Sequence, residues 1–173
     1  MTPVKNGFNV MCHGDVWSNN VMFSYNCDGS IDGCQFVDFQ QSVYTSPAID
    51  LLYFISTSAQ LDEKLKNFEF YIAYYHESLL SSLKMLNYKK TAPTLKELQM
   101  DVLDRQFFGL MACLTALPNS LVEGFEESSN ESLLCPHEAG KNYKRKLYNN
   151  TKYATHMKVM FEYFNNRGVM DLC

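Results

Sequence analysis

The sequence predicts an α+β fold that is mostly helical, with one small β-hairpin near its start. Two short apolar segments, Val21 to Tyr25 and Ile31 to Val37, flank the turn Asn26-Cys27-Asp28-Gly29, where Asp-Gly favours tight reversal. From Leu61 to Leu86 the apolar residues step by threes and fours, as along one side of a helix. Thr94 with Glu97 then forms a capping-box pattern ahead of a second periodic stretch.

Taken in order, Phe8, Val10 and Cys12 alternate as in a strand leading into residues 13–40. Ser46-Pro47 opens a helix, with Ser as N-cap, Pro in the first helical position and Asp50 in the first turn, where a carboxylate suits the helix dipole. One helix is expected over Leu61 to Leu86, with Leu61, Leu65, Phe68, Ile72, Tyr75, Leu79, Leu83 and Leu86 on its core side. Tyr71, Tyr74, Tyr75 and His76 read as part of such a stripe in preference to a cage for a cationic ligand. The helix opened by Thr94 is expected to reach about Leu117, before Pro118, burying Leu95, Leu98, Val102, Phe107, Leu110, Leu114 and Leu117. Residues 118–140, with Glu123, Glu126 and Glu127, read as an acidic loop. Lys141 to Asn165 is the last helix, closed by Arg167-Gly168. Its basic cluster of Lys141, Lys144, Arg145 and Lys146 reads as a solvated helix face. The expected organisation is one domain over residues 1–173, with a polar loop region at 13–40 and a helical part at 46–173.

Composition narrows the partners. A chain of 173 residues can enclose a core, and 46% apolar with 20% charged residues suits a globular protein. A net charge of -4 argues against nucleic-acid binding, which needs a basic surface. No run of about eighteen apolar residues exists to span a membrane, so no membrane partner is expected. The start MTPVKNGFNVMC lacks the apolar core of a secretory signal, so the expected location is cytoplasmic. Cys12, Cys27, Cys34, Cys113, Cys135 and Cys173 show no metal-binding spacing and are expected as free thiols; the sequons at Asn130 and Asn149 are then silent.

The chemistry concentrates between His13 and Gln40: HGDVWSNN, the two short segments, then VDFQ. Asp15, Asn20 five residues later and Asp38 beyond the hairpin form the layout that phosphoryl transfer uses. In that template the first Asp accepts the proton of the attacking hydroxyl, while the Asn and the second Asp hold magnesium against the ATP phosphates. The hairpin would put Asn20 and Asp38 on the same side, as two ligands of one metal cluster require. The alternative is plain: Asp15 and Asn20 cap a turn, and Asp38 ends a strand.

HGDVWSNNVMF, VDFQ and SPAIDLLYF together resemble the insect ecdysteroid kinase-like group, also called CHK kinase-like proteins, related to choline kinases and aminoglycoside phosphotransferases. Trp17 in the loop and Gln40 after Asp-Phe set this group apart from ordinary protein kinases, which carry Arg after His and Gly after Asp-Phe. The resemblance implies the C-terminal lobe of a protein kinase-like fold, use of ATP and Mg2+, and a small-molecule alcohol as acceptor. By it, Asp15 matches the catalytic base, Asn20 and Asp38 the cofactor-binding and metal positions, and His13 a residue that braces the loop. In such relatives a buried Asp in the region of Asp50 steadies the catalytic loop through backbone N–H groups; a solvated first-turn Asp is the alternative, and Asp50, like Trp17, is assigned a structural role.

Kinase chemistry also needs a cover and a cation for the phosphates. Only twelve residues precede His13, and no GxGxxG loop follows it, so the N-terminal lobe is expected to be missing and the chain alone inactive. Three functions stay open: a fragment of an ecdysteroid or xenobiotic alcohol kinase, a choline, ethanolamine or antibiotic phosphotransferase, and a non-catalytic helical binding module.

Overall fold

Two antiparallel ribbons set the loop after Cys12 beside the segment after Phe36. Strand β1 (Val10–Cys12) pairs with β4 (Val43–Thr45), Met11 opposite Tyr44. Strand β2 (Val21–Tyr25) pairs with β3 (Ile31–Phe36), Phe23 opposite Cys34, with an irregularity at Ser24/Tyr25. The reversal between them closes through Gly29 N–H to Asn26 O at 3.0 Å, with Gly29 at φ 83, a conformation glycine adopts without a Cβ penalty. Cys27 lies in that turn, so it does not face Cys34; both are exposed free thiols. The β4 strand has no counterpart in the sequence reading, because three residues are too few for an alternation to show.

The computed structural model describes residues 2–5, 7–122 and 138–171, in which the chain is mostly helical beside these ribbons. The acidic stretch from Glu123 to Glu127, the Asn130 sequon, Cys135 and Cys173 lie outside the described residues. Two compact units are distinguished, Met1–Gly109 and Leu110–Cys173.

In the first unit, helix α1 (Ala48–Ser58) begins where the Ser-Pro signal put it: Ser46 Oγ accepts from Ala48 N at 3.0 Å. The Ser46 hydroxyl in turn donates to Asp101, which also pairs with Arg105. The periodic stretch after it is not one helix. It divides at Asn67 (φ -114, ψ 16) into α2 (Leu61–Lys66) and α3 (Phe68–Met85). Asparagine competes for local hydrogen bonds, and Asn67 Nδ2 donates to Glu63 Oε2 at 2.6 Å. The stripe is buried at Phe68 and Ile72 and runs out into solvent, where Leu86 is 76% exposed. Tyr74 is 63% exposed while Tyr75 faces Cys12 and Asp50, so these tyrosines do not enclose one point. His76 is buried with its Nε2 against Pro93 O at 2.8 Å, a satisfied structural histidine.

The Thr94 capping box forms as read: Glu97 N donates to Thr94 Oγ1 at 3.2 Å and Thr94 N to Glu97 Oε2 at 2.7 Å. The helix it opens stops at Arg105 (φ -108, ψ 12), giving α4 (Leu95–Asp104) and α5 (Gln106–Thr115). That break changes the phase of the buried side. Gln106, 3% exposed, turns inward, and Phe107, read as core, is 60% exposed.

In the second unit, α6 (Leu117–Leu121) is a short helix where a loop was expected; Pro118 sits in its first turn, where a missing N–H costs nothing. The last helix is again two, α7 (Glu138–Tyr148) and α8 (Thr151–Asn165). The first stops at Tyr148, and Asn150 caps the second, its side chain accepting from Lys152 N at 2.8 Å. Glu138 takes Lys141 and Arg145 at 3.7 and 3.3 Å on an exposed face. Gly168 at φ 70 closes α8.

Candidate active site

The candidate site is built on residues 13–20, the segment 37–41 and helix α1, all within the first unit. Gly14 is fixed by two constraints at once. Its φ is 83, and a Cβ there would lie inside van der Waals contact of the Gln41 carbonyl oxygen. Only glycine lets the loop pass so close to the segment that follows Asp38.

His13 joins the two segments. Asp15 N–H donates to His13 Nδ1 at 3.3 Å, so the ring proton sits on Nε2, which donates to Val37 O at 2.8 Å. The ring also packs on Phe39 with centroids 4.7 Å apart. Val37 N donates to Asn20 O at 3.0 Å, so Val37 is bonded to both ends of the loop.

Asp15 and Asn20 are brought together. Asn20 Nδ2 donates to Asp15 O at 2.9 Å and to Asp15 Oδ2 at 3.3 Å. A single turn of 3-10 helix at Ser18–Asn20 makes the five-residue spacing work, and Asn20 is buried. With its amide nitrogen directed to Asp15, the Asn20 carbonyl oxygen is the group left for another partner.

Asp38 is differently placed. Its backbone is left-handed (φ 65, ψ 56), it is exposed, and its carboxylate accepts from Gln40 Nε2 at 3.3 Å, not from Asn20. It reaches the other two through Val37, next to it in the chain. Trp17 is half-buried, and its backbone carries the turn: Trp17 N donates to Asp15 O at 3.2 Å and Asn20 N to Trp17 O at 2.9 Å.

Helix α1 grips this loop from below. Asp50 Oδ2 accepts from His13 N at 2.6 Å and Oδ1 from Gly14 N at 3.0 Å. One helical turn on, Tyr53 Oη donates to Asp15 Oδ1 at 2.6 Å, and at the end of the helix Ser58 Oγ accepts from Ser18 N at 2.9 Å. Burial, then the bond to Asp15, pushes the Tyr53 phenol well above its ordinary range. Burial and then the nearby Asp50 charge push the Cys12 thiol up to about 12. Tyr75 is likewise held at about 12, by burial first and then by Cys12 and Asp50.

Sequence reasoning missed Tyr53 and Ser58. Tyr53 stands in SPAIDLLYF, but nothing local marks its hydroxyl, and Ser58 stands in no motif; their partners are 38 and 40 residues away in the chain. A mostly apolar cleft of about 420 Å3 opens beside the loop, lined among others by Met11, His13, Phe36, Phe39 and Phe54.

Among the described residues, no three or more His, Cys, Asp or Glu side chains form a metal-holding group. No helix among them is long and apolar enough to cross a membrane. The side chains of Asp15, Asn20 and Asp38 carry hard oxygens, a donor type that suits magnesium and not a soft metal.

No curated protein and no solved structure matches this chain. The model of the ecdysteroid kinase-like family does match it, over residues 1–88, which contain the loop, the hairpin, Asp38 and α1. A kinase-like phosphotransferase is what that family implies. The chain belongs to the ecdysteroid kinase-like family.

Proposed function

We propose that this chain supports ATP- and magnesium-dependent transfer of a phosphoryl group to the hydroxyl of a small-molecule alcohol, of the ecdysteroid or xenobiotic kind. The observation that supports it is the pairing of Asp15 with Asn20 on one loop, with the Asp38 segment bonded to that loop through Val37. Asp15 orients the acceptor hydroxyl and takes its proton as the bond to phosphorus forms. Asn20 and Asp38 would hold Mg2+, with nucleotide phosphates and water completing its shell. Held there, Mg2+ would offset the charge of the nucleotide phosphates.

The residues around the base have distinct tasks in this reading. Asp50 fixes the loop backbone at His13 and Gly14. His13 keeps the Asp15 and Asp38 segments in register. The apolar cleft beside His13 and Phe39 offers an apolar acceptor a wall to bury against.

The test is phosphoryl transfer from MgATP to an acceptor panel of ecdysone, simple alcohols and choline, with wild type and Asp15→Asn each joined to an ATP-covering N-terminal lobe of the family. Turnover on the apolar alcohols that falls by about 10²–10⁴ in the variant, with nucleotide affinity kept, is the expected result. Turnover that survives Asp15→Asn removes the assignment of the base.

A further inference from the structure

In the apolar pattern of α1, Tyr53 would pass as a core aromatic, yet its hydroxyl is directed at Asp15. We infer that Tyr53 is a positioning residue for Asp15, holding the carboxylate in the plane from which it meets the acceptor hydroxyl; this rests on the phosphotransferase reading above.

The first support is the pairing of donors. Tyr53 Oη reaches Asp15 Oδ1 at 2.6 Å, and Asn20 Nδ2 reaches Oδ2 at 3.3 Å. One donor leaves a carboxylate free to rotate about its terminal torsion, whereas donors on both oxygens define its plane. A carboxylate oxygen has two lone pairs, so each still has room for the acceptor.

The second support is where the phenol comes from. Asp50 and Tyr53 stand three apart on α1, neighbours on the helix surface. Asp50 takes the N–H groups of His13 and Gly14, and Tyr53 takes the side chain of Asp15. Three consecutive loop residues are thereby held by one rigid element, which sets geometry more tightly than a loop does alone.

The third is that the phenol is itself anchored. Its ring packs on Phe108 with centroids 6.1 Å apart. Burial and the Asp15 contact keep it protonated, so it serves Asp15 as a donor throughout the neutral range. Phenylalanine would fill the same space without the donor, so the bond can be removed while the packing stays.

The experiment compares wild type, Tyr53→Phe, Asp15→Asn and the double variant, each joined to an ATP-covering N-terminal lobe of the family, in MgATP-dependent phosphorylation of ecdysone. Tyr53→Phe is expected to lower kcat about tenfold, as misplacement of a reacting group does, with KM for MgATP unchanged. The double variant is expected to be no slower than Asp15→Asn, because nothing remains to be positioned. Wild-type kcat in Tyr53→Phe, with turnover lost in Asp15→Asn, overturns this inference and leaves the phosphotransferase reading standing. Full turnover in Asp15→Asn overturns the reading itself. A second measurement needs no turnover: with tyrosines 13C-labelled at Cζ, the Tyr53 signal is identified by its loss in Tyr53→Phe. It is expected to move in Asp15→Asn, and a signal indifferent to that change overturns the inference.

Discussion

The carboxylate of Asp15 receives a phenol from α1 and an amide from its own loop, while that of Asp38 stands exposed with the Gln40 amide beside it. In Asp38 the constraint lies in the backbone instead, at φ 65, a region that non-glycine residues seldom occupy. Under the proposed function the difference fits two kinds of task, Asp15 as base and Asp38 as magnesium ligand. A base must already be aimed when the acceptor arrives, since reorganising it then would cost rate. A magnesium ligand has its final position set by the ion's own near-octahedral demand, so a side chain free to turn on a fixed backbone suffices.

Substitutions on the two sides should therefore behave differently. The largest change in stability is expected from Gly14→Ala, which meets the Gln41 carbonyl and a positive φ together; a loss on the order of 3 kcal/mol should appear in denaturant unfolding. Asp50→Ala removes the acceptor of two loop N–H groups and should cost about 2–3 kcal/mol in the same measurement. Thr94→Ala, remote from the site, loses a helix cap worth about 1 kcal/mol. Asp38→Ala should change unfolding by no more than about 0.5 kcal/mol, since its side chain is exposed. A large loss in Asp38→Ala would erase the contrast between the two carboxylates.

Thiol chemistry probes the framework under the loop. Cys12 lies next to His13, fully buried, and its thiol donates to Ser46 O at 3.2 Å. With its pKa pushed up to about 12, almost no thiolate exists at pH 8. Iodoacetamide followed by peptide mass analysis should modify Cys27 and Cys34 while Cys12 stays unmodified until the chain unfolds.

What could be read in the sequence was local. The hairpin follows from Asp28-Gly29, the start of α1 from Ser46-Pro47, and the start of α4 from Thr94 with Glu97, each a few residues of known chemistry. The nearness of Asn20 to Asp15 is of the same kind, a matter of spacing on one loop. The breaks at Asn67, Arg105 and Asn150 were not legible, because apolar periodicity runs across them and a kink changes the phase of a helix face without changing its composition. That is why Phe107 was read as core and Gln106 was not. The grip of α1 on the loop was legible only at Asp50, where a family resemblance suggested it; Tyr53 and Ser58 act through tertiary packing that no local pattern encodes.

Under the proposed function the oxygens of Asn20 and Asp38 share one divalent ion beside Asp15. Adding Mn2+ with ATP to the 15N-labelled chain tests it without requiring turnover, because the paramagnetic ion broadens the amide signals near it. Broadening of residues 13–20 and 37–41 together, lost in Asn20→Ala and in Asp38→Ala, is the predicted result. Broadening confined to other parts of the chain, or unchanged in both variants, would contradict it.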